Sequence, residues 1–182
     1  MTADTLIDLR RTLAARSDAA IAQFRTDLRP DALLIELRRA VDATLRDLVR
    51  HHHLPAGATL AAVGGYGRGE LYPYSDVDLL IILPRVAGAA CEQAIASFVA
   101  ALWDLGLEPG HSVRTVAECE AEAEADITVE TALLESRWLA GSRSLMRTFE
   151  SAMRARMDPA LFFEAKLVEM QKRHARYHDT PY

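Results

Sequence analysis

A chain of 182 residues, half of them hydrophobic and about a quarter charged, has the make-up of a globular domain able to bury its own core. The formal charge of −5, with Glu118, Glu120, Glu122, Glu124 and Asp126 close together and no basic run anywhere, argues against a nucleic-acid partner and for a small-molecule or protein substrate. No apolar stretch is long enough for a bilayer and the first residues lack a secretory core, so no membrane association and a cytoplasmic setting are expected.

Leu6, Leu9, Leu13, Ile21, Phe24 and Leu28 recur at three- and four-residue steps and predict an amphipathic helix that stops near Pro30. Leu34, Leu37, Val41, Leu45 and Leu48 predict a second, ending around His51-His52-His53 and the Pro55-Ala56-Gly57 break. Consecutive histidines on a helix point in different directions, so this trio reads as a solvated helix end rather than a metal site. Thr59–Val63 and Val77–Leu83 are strand-length apolar runs, separated by a loop or short helical turn over 66–75. A helix follows from about Gly88 to Leu105, with Cys91, Ile95, Val99 and Leu102 inward and Gly106 as its stop. His111–Thr115 reads as a third strand. Beyond it the pattern is helical: 116–125, 127–140, a segment to about Met157, and a last helix opened by Asp158-Pro159 and running toward His178. Cys91 and Cys119 each fall in a helical pattern, which argues against a disulfide framework. Glu130 and Glu135 read as structural partners of Arg137.

One constellation carries chemistry. Gly64-Gly65 closes the first strand, ten residues intervene, and Asp76-Val77-Asp78 opens the second. Side chains two apart on a strand share a face, which makes Asp76 and Asp78 a paired carboxylate site. Two adjacent anions raise each other's proton affinity unless a cation lies between them, and a hard divalent ion such as Mg²⁺ suits the oxygen donors. A pair of such ions, about 4 Å apart, serves to activate a hydroxyl and neutralise a leaving pyrophosphate. Gly64 and Gly65 let backbone approach a phosphate closely, Ser75 offers a hydroxyl, and Arg68 a cation for a triphosphate tail. Either fragment alone is common in loops; the order strand, Gly-Gly, loop, Asp-x-Asp, strand is specific. The glycines do not fit G-x-G-x-x-G, and no P-loop is present. His174 and His178 lack the intervening glutamate of a metalloprotease.

On these residues the chain resembles the DNA polymerase β nucleotidyltransferase superfamily. GGYGRGELYPYSDVDLLIIL at 64–83 is similar to the uridylyltransferase/uridylyl-removing enzymes of bacterial nitrogen regulation, as are WDLGLEPGHSVRT at 103–115, DITVETALLESRWLAGS at 126–142 and the tail KLVEMQKRHARYHDTPY. The resemblance implies an α+β fold in which a small mixed sheet is flanked by helices. The resemblance covers most of the chain from Ala62 to Tyr182, and the expected organisation is an N-terminal helical segment over 1–55, a nucleotidyltransferase core over 56–140 and a helical segment over 141–182. It also implies Mg²⁺-dependent transfer of UMP from UTP to a tyrosine of the PII signalling protein, with release of pyrophosphate. Asp76 and Asp78 match the metal-binding catalytic aspartates, and Gly64 and Gly65 the nucleotide-binding glycines. Family members continue into a phosphohydrolase and glutamine-sensing domains, so the chain is expected to be an N-terminal fragment whose glutamine response lies in the parts it lacks. One departure stands out: the superfamily places a third carboxylate on a later strand, and His111–Thr115 holds none. Glu108 and Asp126 are the candidates for that role, while His111 and Arg114 are candidates to face the nucleotide or to pair with surface acids. Adenylyl transfer to another acceptor, and a nucleotide-binding regulatory module without catalysis, remain open alternatives.

Overall fold

A computed structural model describes residues 3–52 and 54–176, so His53 and His178 lie outside the described residues. Two long helices, α1 (Ala3–Asp27) and α2 (Pro30–His52), form a hairpin. The chain then enters β1 (Thr59–Ala62), the short α3 (Gly64–Arg68), β2 (Val77–Leu83), α4 (Ala89–Asp104) and β3 (Pro109–Thr115). It finishes with α5 (Val116–Ala125), α6 (Ile127–Leu134), β4 (Arg137–Gly141), α7 (Arg143–Arg156) and α8 (Pro159–Arg176). No helix among the described residues is long and apolar enough to cross a membrane.

The strands form one mixed sheet in the order β3-β2-β1-β4. β1 is antiparallel to both β2 and β4, whereas β2 and β3 run parallel and therefore need the crossover that α4 supplies. Both faces are covered, which explains why β2 reads as a continuous apolar run rather than an alternation. Val77, Leu79, Ile81 and Leu83 face α1, α2 and α4, packing with Leu37, Val41, Leu45, Phe98 and Leu102. Leu80 and Ile82 face the other way, into Cys119 and Ala123 of α5, Leu133 of α6, and Met146, Phe149 and Met153 of α7. Asp78 occupies the first position on this second face, at the open end of β2. Both cysteines are free thiols; burial pushes Cys119 up to about 11.

Three expectations change. The helix expected over 127–140 ends at Leu134, and Arg137–Gly141 is a fourth strand. Helix formers run through Ala132-Leu133-Leu134, but β1 has an unpaired edge, and pairing there buries Leu139 completely. A bulge between Leu60 and Ala61 and the left-handed Gly141, whose missing side chain lets Ala58 approach, fit the strand into place. Leu28, expected on the apolar face of the first helix, lies past its end at positive φ and is 73% exposed. Arg137 pairs with Asp42 rather than with Glu130 or Glu135. Glu135 pairs with Arg68 instead.

Candidate nucleotide and metal site

The site is built where β1, β2 and β3 end together. Val63 leaves β1 in an extended conformation and supplies no side-chain cap, and the chain turns at Gly64, with φ +57, directly into α3. A β-branched or bulky side chain resists that backbone conformation, which explains glycine there. The Val63 amide donates to the main-chain carbonyl of Asp78 at 3.1 Å, locking the turn to the start of β2.

The Asp78 carboxylate lies between two glycines from different strands. A Cβ on Gly64 would stand 3.6 Å from Asp78 Oδ2, and a Cβ on Gly110 would stand only 2.2 Å from Asp78 Oδ1. Gly110 is the direct partner of Asp78 across the parallel ladder, and a side chain there would force this carboxylate to turn from its place. Asp76 is exposed, one residue before β2, and near enough to act on Asp78 electrostatically. Burial first, and the Asp76 charge second, push the Asp78 carboxyl above the usual carboxylate range. The described residues contain no cluster of three or more His, Cys, Asp or Glu side chains suited to a metal. A pair of carboxylates nevertheless fits Mg²⁺, which keeps several waters and takes phosphate oxygens for its remaining positions. The Asp76 charge acting on Asp78 is the feature a cation would relieve.

The other sequence candidates divide. Arg68 folds back so that its guanidinium lies 3.7 Å from the Cβ position of Gly65, held by Glu135 at 2.6 Å and Glu70 at 3.1 Å. Those two carboxylates raise the Arg68 pKa further. Ser75 is exposed, and its hydroxyl donates to the Tyr72 carbonyl at 3.0 Å, inside its own loop. Gly64, Gly65, Arg68, Asp76 and Asp78 are thus brought together, with Ser75 adjoining through the chain. Arg114, Asp126 and His111 are not. Arg114 shares the Asp78 face but sits opposite Ile82, about 13 Å along the strand at the usual rise, and pairs with Glu122. Asp126 caps α6 by accepting from the Thr128 amide at 2.7 Å, which holds its carboxyl below the usual range. His111 faces the opposite side, beside Trp103 and Val113. Glu108 is exposed at the approach to β3, where its carbonyl accepts from the Val77 amide at 3.0 Å.

Sequence reasoning passed over Gly110 and Asp42. Gly110 precedes the strand expected at His111–Thr115, and only the β2–β3 register sets it against Asp78. Asp42 sat as a single acid in the apolar stripe Leu37, Val41, Leu45 and Leu48, and that misfit was the available signal.

Comparison with known proteins places this geometry. Residues 43–134 match the nucleotidyltransferase domain family, and the chain belongs to that family. It is also similar to curated proteins called bifunctional uridylyltransferase/uridylyl-removing enzyme. The relative from Bordetella avium is 74% identical over 94% of this chain and 20% of its own length. The relative from Bordetella parapertussis is 69% identical over 96% of the chain, and that from Cupriavidus pinatubonensis 50% identical over 96%, each again across 20% of the relative. The chain therefore spans about a fifth of the length of the curated relatives it matches.

Proposed function

We propose that this chain carries the transferase half of a uridylyltransferase: it takes UTP and moves the uridylyl group to a tyrosine hydroxyl of a PII signalling protein. The carrying observation is the Asp78 carboxylate, wedged between Gly64 and Gly110 with Asp76 beside it. The names of the relatives and the family resemblance supply the nucleotide and the acceptor.

In this reading the triphosphate lies along Gly64 and Gly65, where missing side chains allow the backbone to approach phosphate oxygens. Asp76 and Asp78 hold Mg²⁺, which supplies charge neutralisation of the triphosphate. Arg68 exchanges its contact with Glu70 for a phosphate oxygen while Glu135 retains its other edge. The acceptor oxygen attacks the α-phosphorus, the bond to the β-phosphate oxygen breaks, pyrophosphate departs, and the hydroxyl proton passes to water at the exposed edge beside Asp76. Positioning contributes most, since phosphoryl chemistry asks little covalent work of a protein.

A nucleotide-binding module without turnover is the second reading, favoured by the lack of an acid on the Asp78 face of β3, which carries Gly110, Ser112 and Arg114. One experiment separates the two. The chain is incubated with labelled UTP or ATP, Mg²⁺ and a PII protein, and both label transfer and pyrophosphate are followed. Transfer from UTP, lost about a thousandfold in Asp76→Asn, is the expected result. UTP binding without pyrophosphate supports the module, preference for ATP moves the assignment to adenylyl transfer, and undiminished turnover by Asp76→Asn removes the proposed site.

A further inference from the structure

α3 is too short to hold its own shape. Five residues cannot sustain an isolated helix, and its N-cap residue Val63 offers no side-chain acceptor. Yet this turn carries both glycines on which the nucleotide reading depends, so something outside it must set its orientation.

The neighbouring structure shows what does. Asp42 of α2 is buried, at 3% exposure, the single fully enclosed acid among the described residues. The Tyr66 hydroxyl, from the middle of α3, donates to Asp42 Oδ1 at 2.7 Å. Arg137, from β4, reaches the same carboxylate through Nη1 at 2.7 Å and Nη2 at 3.0 Å. The same guanidinium donates to the main-chain carbonyls of Tyr66 and Gly67, each at 3.3 Å, and lies over the Tyr66 ring with its carbon 5.2 Å from the centroid. Arg46, one turn along α2, adds a further contact to Asp42 at 3.3 Å and bonds the Leu139 carbonyl. Gly67 completes the fit: a Cβ there would fall 2.0 Å from the Glu135 carbonyl oxygen. Two elements, α2 and β4, whose contacting residues Asp42 and Arg137 are 95 apart in sequence, converge on one five-residue turn.

We propose that Asp42, Tyr66 and Arg137 form a buried positioning clamp that orients the Gly64–Arg68 turn toward the Asp76/Asp78 pair, and so sets the geometry of nucleotide transfer from outside the reacting centre. The proposal rests on the transfer reading above and adds to it. Asp42 and Arg137 flank the 43–134 segment shared with the nucleotidyltransferase family, so the clamp ties family-wide chemistry to elements at its borders. A buried ion pair is a poor source of net stability relative to well-packed apolar groups, but it tolerates few alternative geometries. The hydrogen bonds to the α3 carbonyls give that directionality a target, since displacing reacting groups by about 1 Å costs about a hundredfold in rate.

The test uses the chain with Tyr66→Phe and Asp42→Asn, and Asp76→Asn as reference. Amide exchange is followed at Gly67, Gly69 and Glu70, which donate to Val63, Tyr66 and Gly65 within the turn. Loosening of the clamp accelerates these amides about tenfold or more while those of β2 stay at the wild-type rate. In parallel, kcat falls about tenfold and the KM for the protein acceptor does not change. Wild-type exchange at all three amides in both variants overturns the proposal, as does acceleration spread evenly over the sheet, the mark of a merely structural role. Tyr66→Phe alone decides the matter if Asp42→Asn fails to fold, because it keeps the ring and removes one hydroxyl. A wild-type chain that transfers nothing, or an Asp76→Asn chain that transfers normally, counts against the transfer reading; the exchange result still judges the clamp.

Discussion

Two carboxylates bracket the α3 turn, and their surroundings differ in kind. Asp42 is enclosed and satisfied: a bidentate arginine, a tyrosine hydroxyl and a second arginine meet its oxygens. Asp78 is half-buried between glycines, with another carboxylate as its electrostatic neighbour. The first arrangement spends its charge inside the protein and fixes backbone. The second leaves charge uncompensated at a surface, which is the state that the proposed cation and triphosphate would complete. Burial of an acid thus indicates structure in one place and chemistry in the other, and the partner groups decide which.

The largest expected effect tests the satisfied side. Asp42→Ala leaves Arg137 and the Tyr66 hydroxyl without their acceptor inside the protein, and breaking a buried pair in this way costs about 3–5 kcal/mol. Urea unfolding of wild type and variant measures it. A loss below about 1 kcal/mol makes the Asp42 centre no more than an ordinary surface pair and erases the contrast.

Gly110→Ala probes the other side with a smaller perturbation. The new methyl group would sit 2.2 Å from Asp78 Oδ1 and 3.4 Å from its Cγ, so the carboxylate must swing away from its place. Overpacking of this kind costs about 1–3 kcal/mol. Transfer is expected to fall by about tenfold to a hundredfold, with a higher Mg²⁺ concentration needed for half-maximal turnover. Unchanged turnover would show that the parallel ladder does not shape the site.

Gly110 also marks the limit of what the sequence discloses. Asp76 and Asp78 stood out in the sequence as two acids spaced by one residue at the head of an apolar run, although β2 begins only at Val77 and Asp76 lies just before it. β2 was legible because a sheet covered on both sides demands an unbroken apolar run, and α2 because its leucines keep helical spacing. Gly110 meets Asp78 only through a register set by the α4 crossover, which no local pattern encodes. β4 was lost for a related reason. Its helix-favouring approach through Leu133 and Leu134 continues a local signal that only the free edge of β1 overrides. Arg137 was assigned glutamates near it in sequence, whereas its partner Asp42 stands on the second helix. Local patterns gave the two proposed site carboxylates; the contacts around them, Gly110 beside Asp78 and Arg137 on Asp42, are long-range.

The smallest effect sharpens the comparison most, because it reverses the usual sign. Asp78 has its pKa raised in the folded chain by burial and by Asp76. A carboxyl whose folded value lies above its unfolded value stabilises the protein while protonated, and that contribution disappears as pH rises through the folded value. Once the pH exceeds that raised value the wild type has lost it, whereas Asp78→Asn never carries the charge. Without metal, the variant should melt at the same temperature as wild type in acid, then above it once the pH passes the raised value. Adding Mg²⁺ and UTP should invert the order, since ligand that binds only the intact pair stabilises the wild type alone. Asp42→Asn should show neither the gain nor the inversion, because its carboxylate is compensated by arginines from the outset. A wild type more stable than Asp78→Asn at neutral pH without ligand would mean that the Asp78 charge is already balanced within the fold, leaving no vacancy of charge for a metal to fill.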